Sequence, residues 1–244
     1  MKLTVLGNNG PYPEPGGACS GYLIEVEDKK ILLDCGNGVL GNLQKFIKFE
    51  ELDMVILTHL HSDHMSDMMV LRYAVMVKKM RKLINKVIDV FAPREPAEDY
   101  NKLDIRGCFN LKPIDEELAL NYGGLNITFK EMNHPVETYA VSLSYKDRRF
   151  IYSGDTAWCK NIIEFCKDAD CIMLDSGTFN KDKNNNSEPH MTPEECGRVA
   201  KEANVKRLLL THFWPDDDKN ACLDKAKEFF GSTECTELFK TYTI

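Results

Sequence analysis

Thr58-His59-Leu60-His61-Ser62-Asp63-His64 follows directly on the apolar run Met54-Val55-Ile56-Leu57. A strand that stops at Leu57 delivers His59, His61, Asp63 and His64 into one tight loop. Half of the chain's 6 histidines stand in this short stretch. Neutral imidazoles beside a carboxylate are the donor set that zinc prefers and that manganese and iron also accept. A polar turn with scattered histidines would not concentrate them this way.

The other three histidines occupy comparable places. His134 follows an expected strand, Leu125–Met132, and precedes Pro135. His190 precedes Met191-Thr192-Pro193, and His212 ends the apolar run Arg207–Thr211. Asp155, in Ser153-Gly154-Asp155-Thr156, again lies just past an apolar strand. All of these positions are loops at strand ends or helix starts, where a rigid sheet tends to collect chemical groups.

Strand-like and helical stretches alternate along the rest of the chain. Lys2–Leu6, Gly21–Val26 and Lys30–Asp34 read as an opening meander, and Asp53–Leu57 as a further strand. Val87–Phe91, Leu125–Met132, Ala140–Tyr145, Arg149–Ser153, Cys171–Asp175 and Arg207–Thr211 complete the strand expectations. Helices are expected over Asn37–Ile47, Ser66–Lys82, Ala157–Lys167, Thr192–Ala203 and Lys219–Phe229. Thr192-Pro193-Glu194-Glu195 carries a threonine cap, proline at the first helical position and glutamate at the capping-box position. The polar run Asn180–Ser187 reads as a loop inside a single domain covering residues 1–244, because patterned elements resume at once.

Composition narrows the function classes. With 244 residues and 43% hydrophobic content the chain can build a sizeable core. No apolar stretch is long enough to cross a bilayer, and the N-terminal run is too short for a signal peptide, so a cytoplasmic location is expected. The 9 cysteines are dispersed, odd in number and form no C-x-x-C pair, which suits buried apolar residues in a reducing compartment. Net charge is −7, and the one dense basic run, Lys78-Lys79-Met80-Arg81-Lys82, falls at a helix end where cations suit the dipole. A long nucleic-acid partner is therefore not expected.

The pattern His59-x-His61-x-Asp63-His64, followed by His134, Asp155 and His212, resembles the metallo-β-lactamase superfamily, as does Leu32-Leu33-Asp34-Cys35-Gly36 upstream. The likeness covers nearly the whole chain. His190-Met191-Thr192 and Leu208-Leu209-Leu210-Thr211-His212-Phe213 are similar to the ribonuclease Z-like phosphodiesterase branch. The resemblance implies an α/β fold, a four-layer αββα sandwich. It implies two Zn2+ ions, with Mn2+ or Fe as alternatives. His59, His61 and His134 would hold one ion; Asp63, His64 and His212 would hold the other; Asp155 would bridge them. It implies hydrolysis by a metal-bridging hydroxide, with Asp63 accepting a proton and His190 stabilising the transition state or protonating the leaving oxygen.

Two departures refine that expectation. Only twenty residues separate His134 from Asp155, room for two short strands and a turn, so the tRNA-clasping arm of ribonuclease Z is absent. Ser176 stands where that branch has the glutamate that positions the catalytic histidine, leaving Asp175 or Glu188 as candidates for the task. The favoured reading is a phosphodiesterase for a small or single-stranded phosphodiester, with small cyclic phosphodiesters or nucleotides preferred. The alternative is a thioester or lactone hydrolase similar to glyoxalase II. An intact His61 argues against the di-iron oxidoreductases of the fold, and His64 against the true β-lactamases. Tyr12, Phe213 and Trp214 are expected near the rim of the site. A homodimer is also implied, with Met68, Met69, Met76 and Met80 as a candidate contact face.

Overall fold

The computed structural model describes residues 1–179 and 189–244. In chain order the strands of the first half are β1 (Lys2–Gly7), β2 (Gly21–Val26), β3 (Lys29–Leu33), β4 (Met54–Ile56), β5 (Ile88–Ala92) and β6 (Phe109–Pro113). Those of the second half are β7 (Ala119–Tyr122), β8 (Leu125–Glu131), β9 (Tyr139–Tyr145), β10 (Arg148–Tyr152), β11 (Cys171–Asp175), β12 (Leu208–Thr211), β13 (Thr233–Cys235) and β14 (Thr241–Thr243). They form two mixed sheets of seven strands, ordered β14-β1-β2-β3-β4-β5-β6 and β13-β12-β11-β10-β9-β8-β7. In each sheet the antiparallel part passes into a parallel run: β3 to β6 in the first, β10 to β13 in the second.

Side-chain alternation along the strands builds three apolar layers. Met54 and Ile56 of β4 meet Phe150, Tyr152 and Met173 between the two sheets, whereas Val55 points the other way. That outer face is covered by α1 (Val39–Leu43) and α3 (Met68–Met80), through Val39, Leu43, Met68, Leu71 and Val75. On the second sheet, Ile151, Ile172, Leu174, Leu208 and Leu210 face outward under α5 (Lys160–Cys166), α6 (Pro193–Glu202) and α7 (Lys219–Lys227). The result is the αββα sandwich in one domain. Central strands buried on both faces explain why their sequences read as unbroken apolar runs.

Where the expectation and the structure part, the reason is local. The helix expected over Ser66–Lys82 forms as α3 (Met68–Met80), and a single turn that was not anticipated, α2 (Ser62–Met65), precedes it and carries Asp63 and His64. The expected Asn37–Ile47 helix contracts to α1, entered through Gly38 at φ 89. The strands not anticipated, β6, β7, β13 and β14, are the four edges of the two sheets. Edge strands keep one side toward water and tolerate polar residues and proline, as in Phe109-Asn110-Leu111-Lys112-Pro113, so they lack the apolar signature. The short helix α4 (Ala97–Leu103), largely solvent-facing, was missed for the same lack of contrast.

The capping box at Thr192 forms as its sequence indicated: Glu195 N donates to Thr192 Oγ1 at 3.2 Å, and Thr192 N donates to Glu195 Oε2 at 3.0 Å. Of the methionines proposed as a contact face, Met68 is buried and Met69 and Met76 pack against the core; only Met80 is exposed. Asn180–Ser187 and Glu188 lie outside the described residues. Among the described residues no helix is long and apolar enough to cross a membrane.

Candidate metal centre

The histidine loop is fixed by backbone bonds from both sheets. Cys35 N donates to the His64 carbonyl at 2.7 Å, and Tyr139 N donates to the Thr58 carbonyl at 3.0 Å. The close approach requires Gly36: a Cβ there would lie 1.9 Å from the Asp63 carbonyl oxygen. His212 follows β12 with φ 59, a left-handed conformation that turns its imidazole back toward the loop. Gly10 makes room for that ring, since a Cβ on it would fall 2.0 Å from His212 Nε2.

Every site residue singled out in the sequence converges on this point. His61 Nδ1 lies 3.2 Å from both His59 Nε2 and His134 Nε2, and His59 Nε2 lies 3.6 Å from Asp155 Oδ2. On the other side, His212 Nε2 lies 3.1 Å from Asp63 Oδ2 and 3.3 Å from Asp155 Oδ2. His64 Nε2 is 3.2 Å from Asp155 Oδ1 and 3.6 Å from Asp63 Oδ2. Two four-residue groups result, His59/His61/His134/Asp155 and Asp63/His64/Asp155/His212, and a third, Asp155/Asp175/His190/His212, overlaps the second; Asp155 belongs to all of them. Donor atoms at tetrahedral corners about 2.0–2.1 Å from a zinc ion would stand about 3.3 Å apart, the spacing seen here.

The hydrogen-bonding pattern supports the same conclusion independently. His64 Nδ1 donates to Asp34 Oδ2 at 2.8 Å, and His134 Nδ1 donates to the Pro189 carbonyl at 3.1 Å. Those bonds fix the tautomers and leave the Nε2 lone pairs facing inward. His64 Nε2 and Asp155 Oδ1 are buried and have no hydrogen-bond partner among the described residues. Two acceptors aimed at each other in a dry interior repel unless a proton or a cation lies between them. The residues fit divalent cations.

Electrostatics report the same demand for positive charge. Burial alone would lower His64, yet the Asp155 and Asp34 carboxylates push it up to about 10. His212 is likewise raised well above the ordinary histidine value, against its burial, by Asp155, Asp175 and Asp63. The burial of Asp63 and Asp155 would raise them, but the His212 and His64 imidazoles hold both below the usual carboxylate range. His59, by contrast, is pushed well down by burial and by four neighbouring imidazoles. In the metal-free protein, protons on His64 and His212 thus stand in for cations. Cation binding must expel them. Zinc affinity should therefore climb with pH between about 6 and 8, and calorimetry in buffers of different ionisation heat should show proton release. Uptake without buffer dependence would contradict this assignment.

Asp34 and Asp175 are the two groups that sequence reading left underspecified. Asp34 is fully buried and accepts from His64 Nδ1, from Thr58 N at 2.8 Å and from Tyr152 Oη at 2.9 Å. It orients a candidate ligand without lining the cavity. Asp34→Ala should weaken metal affinity by about 10- to 100-fold, read by chelator competition. Asp175, also fully buried, settles which described group supports His190: His190 Nδ1 donates to its Oδ2 at 2.9 Å. Its Oδ1 lies 3.4 Å from His212 Nδ1, a long contact. Both aspartates end buried strands (Leu33-Asp34, Leu174-Asp175), the same signal that marked His212. Burial would lower His190, but Asp175 raises it by charge and hydrogen bond.

His190 Nε2 makes no hydrogen bond to a described residue. Together with Pro11, Asp63, His61 and His134 it lines a cavity of about 370 Å3 over the two donor groups. Of the three aromatic residues expected at the rim, Phe213 is fully buried in the core on the outer face of the second sheet, whereas Tyr12 and Trp214 are 44% and 40% exposed.

Residues 29–213 match a family model described as a β-lactamase superfamily domain. A probable metallo-hydrolase of Bacillus subtilis, YhfI, is 34% identical over 212 residues, covering 87% of this chain and 86% of the relative. The crystal structure of YhfI superposes with TM-score 0.93 at 29% identity, over 99% of this chain and 98% of that one. A ribonuclease Z of Archaeoglobus fulgidus is 24% identical over 304 positions, covering 100% of this chain and 98% of the relative. That span exceeds the 244 residues present here, so part of the enzyme has no counterpart in this chain. The short form of human tRNase Z shares the fold, with TM-score 0.78 at 20% identity over 100% and 99% of the two chains.

Proposed function

From the membership of this chain in the metallo-β-lactamase superfamily of hydrolases, we propose that it is a two-zinc phosphodiesterase for small phosphodiesters. His59, His61 and His134 would hold one zinc ion and Asp63, His64 and His212 the other, with Asp155 between them. When bound, two such cations activate water near neutral pH and neutralise charge on the phosphoryl oxygens.

The observation that carries the reading is His190. Its Nδ1 is held by Asp175 at 2.9 Å, and its free Nε2 edge borders the cavity above the metal ligands. A carboxylate that keeps an imidazole protonated prepares it to donate a proton. An alkoxide leaving group needs that proton badly; a thiolate, whose acid has a pKa of about 8.5, needs it far less. A built-in proton donor therefore favours cleavage of an oxygen ester over a thioester. Asp63, ionised and facing His212, is placed to take up a proton from water. The likeness to ribonuclease Z supports phosphodiester chemistry, while the twenty residues between His134 and Asp155 are used up by β9, β10 and their turns. A chain lacking that arm suits a small substrate.

The test is metal analysis of the purified protein followed by parallel assays on bis(p-nitrophenyl) phosphate, a thioester and a lactone. Zinc-dependent turnover is expected with the phosphodiester. Faster turnover of the thioester or the lactone would replace this reading with the glyoxalase II-like one.

A further inference from the structure

A second cavity, of about 550 Å3, opens beside the metal-ligand cavity and shares Pro189 and His190 with it. Its described walls include Trp214, Phe179, Thr178 and Asp217. Trp214 is tied to its neighbours although its side chain is exposed. Its Nε1 donates to Asp216 Oδ2 at 3.3 Å, the same oxygen accepts from Tyr12 Oη at 3.1 Å, and the two rings meet edge-on with centroids 5.8 Å apart. The loops beneath are stitched together, Gly10 N donating to the Phe213 carbonyl at 3.1 Å and Phe213 N to the Asn8 carbonyl at 2.8 Å. An indole fixed in place and left 40% open to water beside a polar cavity is a stacking surface with its ordering entropy already spent.

We propose that this cavity is a nucleoside subsite: one ester arm of the phosphodiester passes His190 and lays its base on Trp214. The inference rests on the phosphodiesterase reading of the metal centre and adds the substrate class. Phe179 forms another wall, its ring covered by Lys225 Nζ at 3.8 Å from the centroid. Asp217 supplies acceptor oxygens that make no hydrogen bond to a described residue, suited to the amine edge of a base or to sugar hydroxyls. Asp216 and Asp217 disfavour a second phosphate beside them, with Lys225 offsetting part of that charge, so the arm that fits best ends in a neutral nucleoside.

Binding tests the subsite apart from turnover. The chain has 2 tryptophans, so Trp158→Phe leaves Trp214 as the single indole reporter. Adenosine monophosphate added to the zinc-loaded variant should quench that emission saturably, while ribose 5-phosphate, which lacks the base, should not. In kinetics, Trp214→Ala should raise KM for a dinucleoside monophosphate about tenfold more than for methyl p-nitrophenyl phosphate, with Trp214→Phe recovering much of the loss. Equal quenching by the two phosphates, or equal KM changes for the two diesters, would overturn the subsite. Saturable quenching by adenosine monophosphate in a protein that cleaves no phosphodiester would retain the subsite and refute the phosphodiesterase reading instead.

Discussion

Asp155→Ala is expected to lower kcat/KM by on the order of 10^3-fold or more, and to deplete bound metal at the same time. No other side chain belongs to both donor groups: its Oδ1 faces His64 while its Oδ2 faces His59 and His212. Without it, each group keeps three protein donors but loses the anionic charge that lets two cations sit close together. The carboxylate is 2% exposed, so water does not readily take its place. Metal content by atomic absorption and kcat/KM on bis(p-nitrophenyl) phosphate would be measured on the same preparation. Full metal occupancy with near-normal activity would refute the bridging role. Because Asp155 also offsets charge on His64 and His212, the metal-free variant should bind fewer protons on those rings, and NMR titration of the imidazoles would show it.

His190→Ala has the second-largest expected effect and a different signature. His190 lies within reach of a third possible cation group, with Asp155, Asp175 and His212, but in the proposed acid role its Nδ1 bonds Asp175 at 2.9 Å and not a cation. Metal content should therefore stay the same while kcat falls by about 10^2- to 10^4-fold. The loss should grow as the leaving alcohol becomes a poorer leaving group, since p-nitrophenolate departs without much help from an acid. The sign of the pH dependence follows from the raised value of His190. The protonated, donating form persists above the ordinary histidine range and disappears as pH rises through the elevated value, so the basic limb of the kcat profile belongs to this ring. Asp175→Asn should move that limb to lower pH while metal content is held. A variant that loses metal along with activity would make His190 a ligand and not a donor.

Tertiary context explains which parts of the architecture were legible in the chain. Strands such as Cys171–Asp175 and Leu208–Thr211 are buried on both faces, so their apolar runs stand out against everything around them. The edge strands β6, β7, β13 and β14 bury less and carry polar residues, and local patterning gives them no contrast with loops. The turn α2 was equally hidden. The expected helix opened at Ser66, whereas α3 starts at Met68, where Asp67 N bonds to the Cys35 carbonyl at 3.0 Å, a contact from a distant segment.

The sequence by itself determined the candidate donor set. Five histidines with Asp63 and Asp155, each placed just beyond a strand or before a helix, needed only an αββα framework to bring them together. Local periodicity and residue chemistry are enough for that, because strand ends of one sandwich face a common rim. Only the tertiary structure decided the supporting contacts: that Asp34 orients His64, that Asp175 holds His190, and that Trp214 stays open at the rim while Phe213 turns into the core. The partners in the first two pairs stand 30 and 15 residues apart, and hydrogen bonds at 2.8 and 2.9 Å depend on how separate elements pack. Spacing along the chain carries no information about packing at that precision.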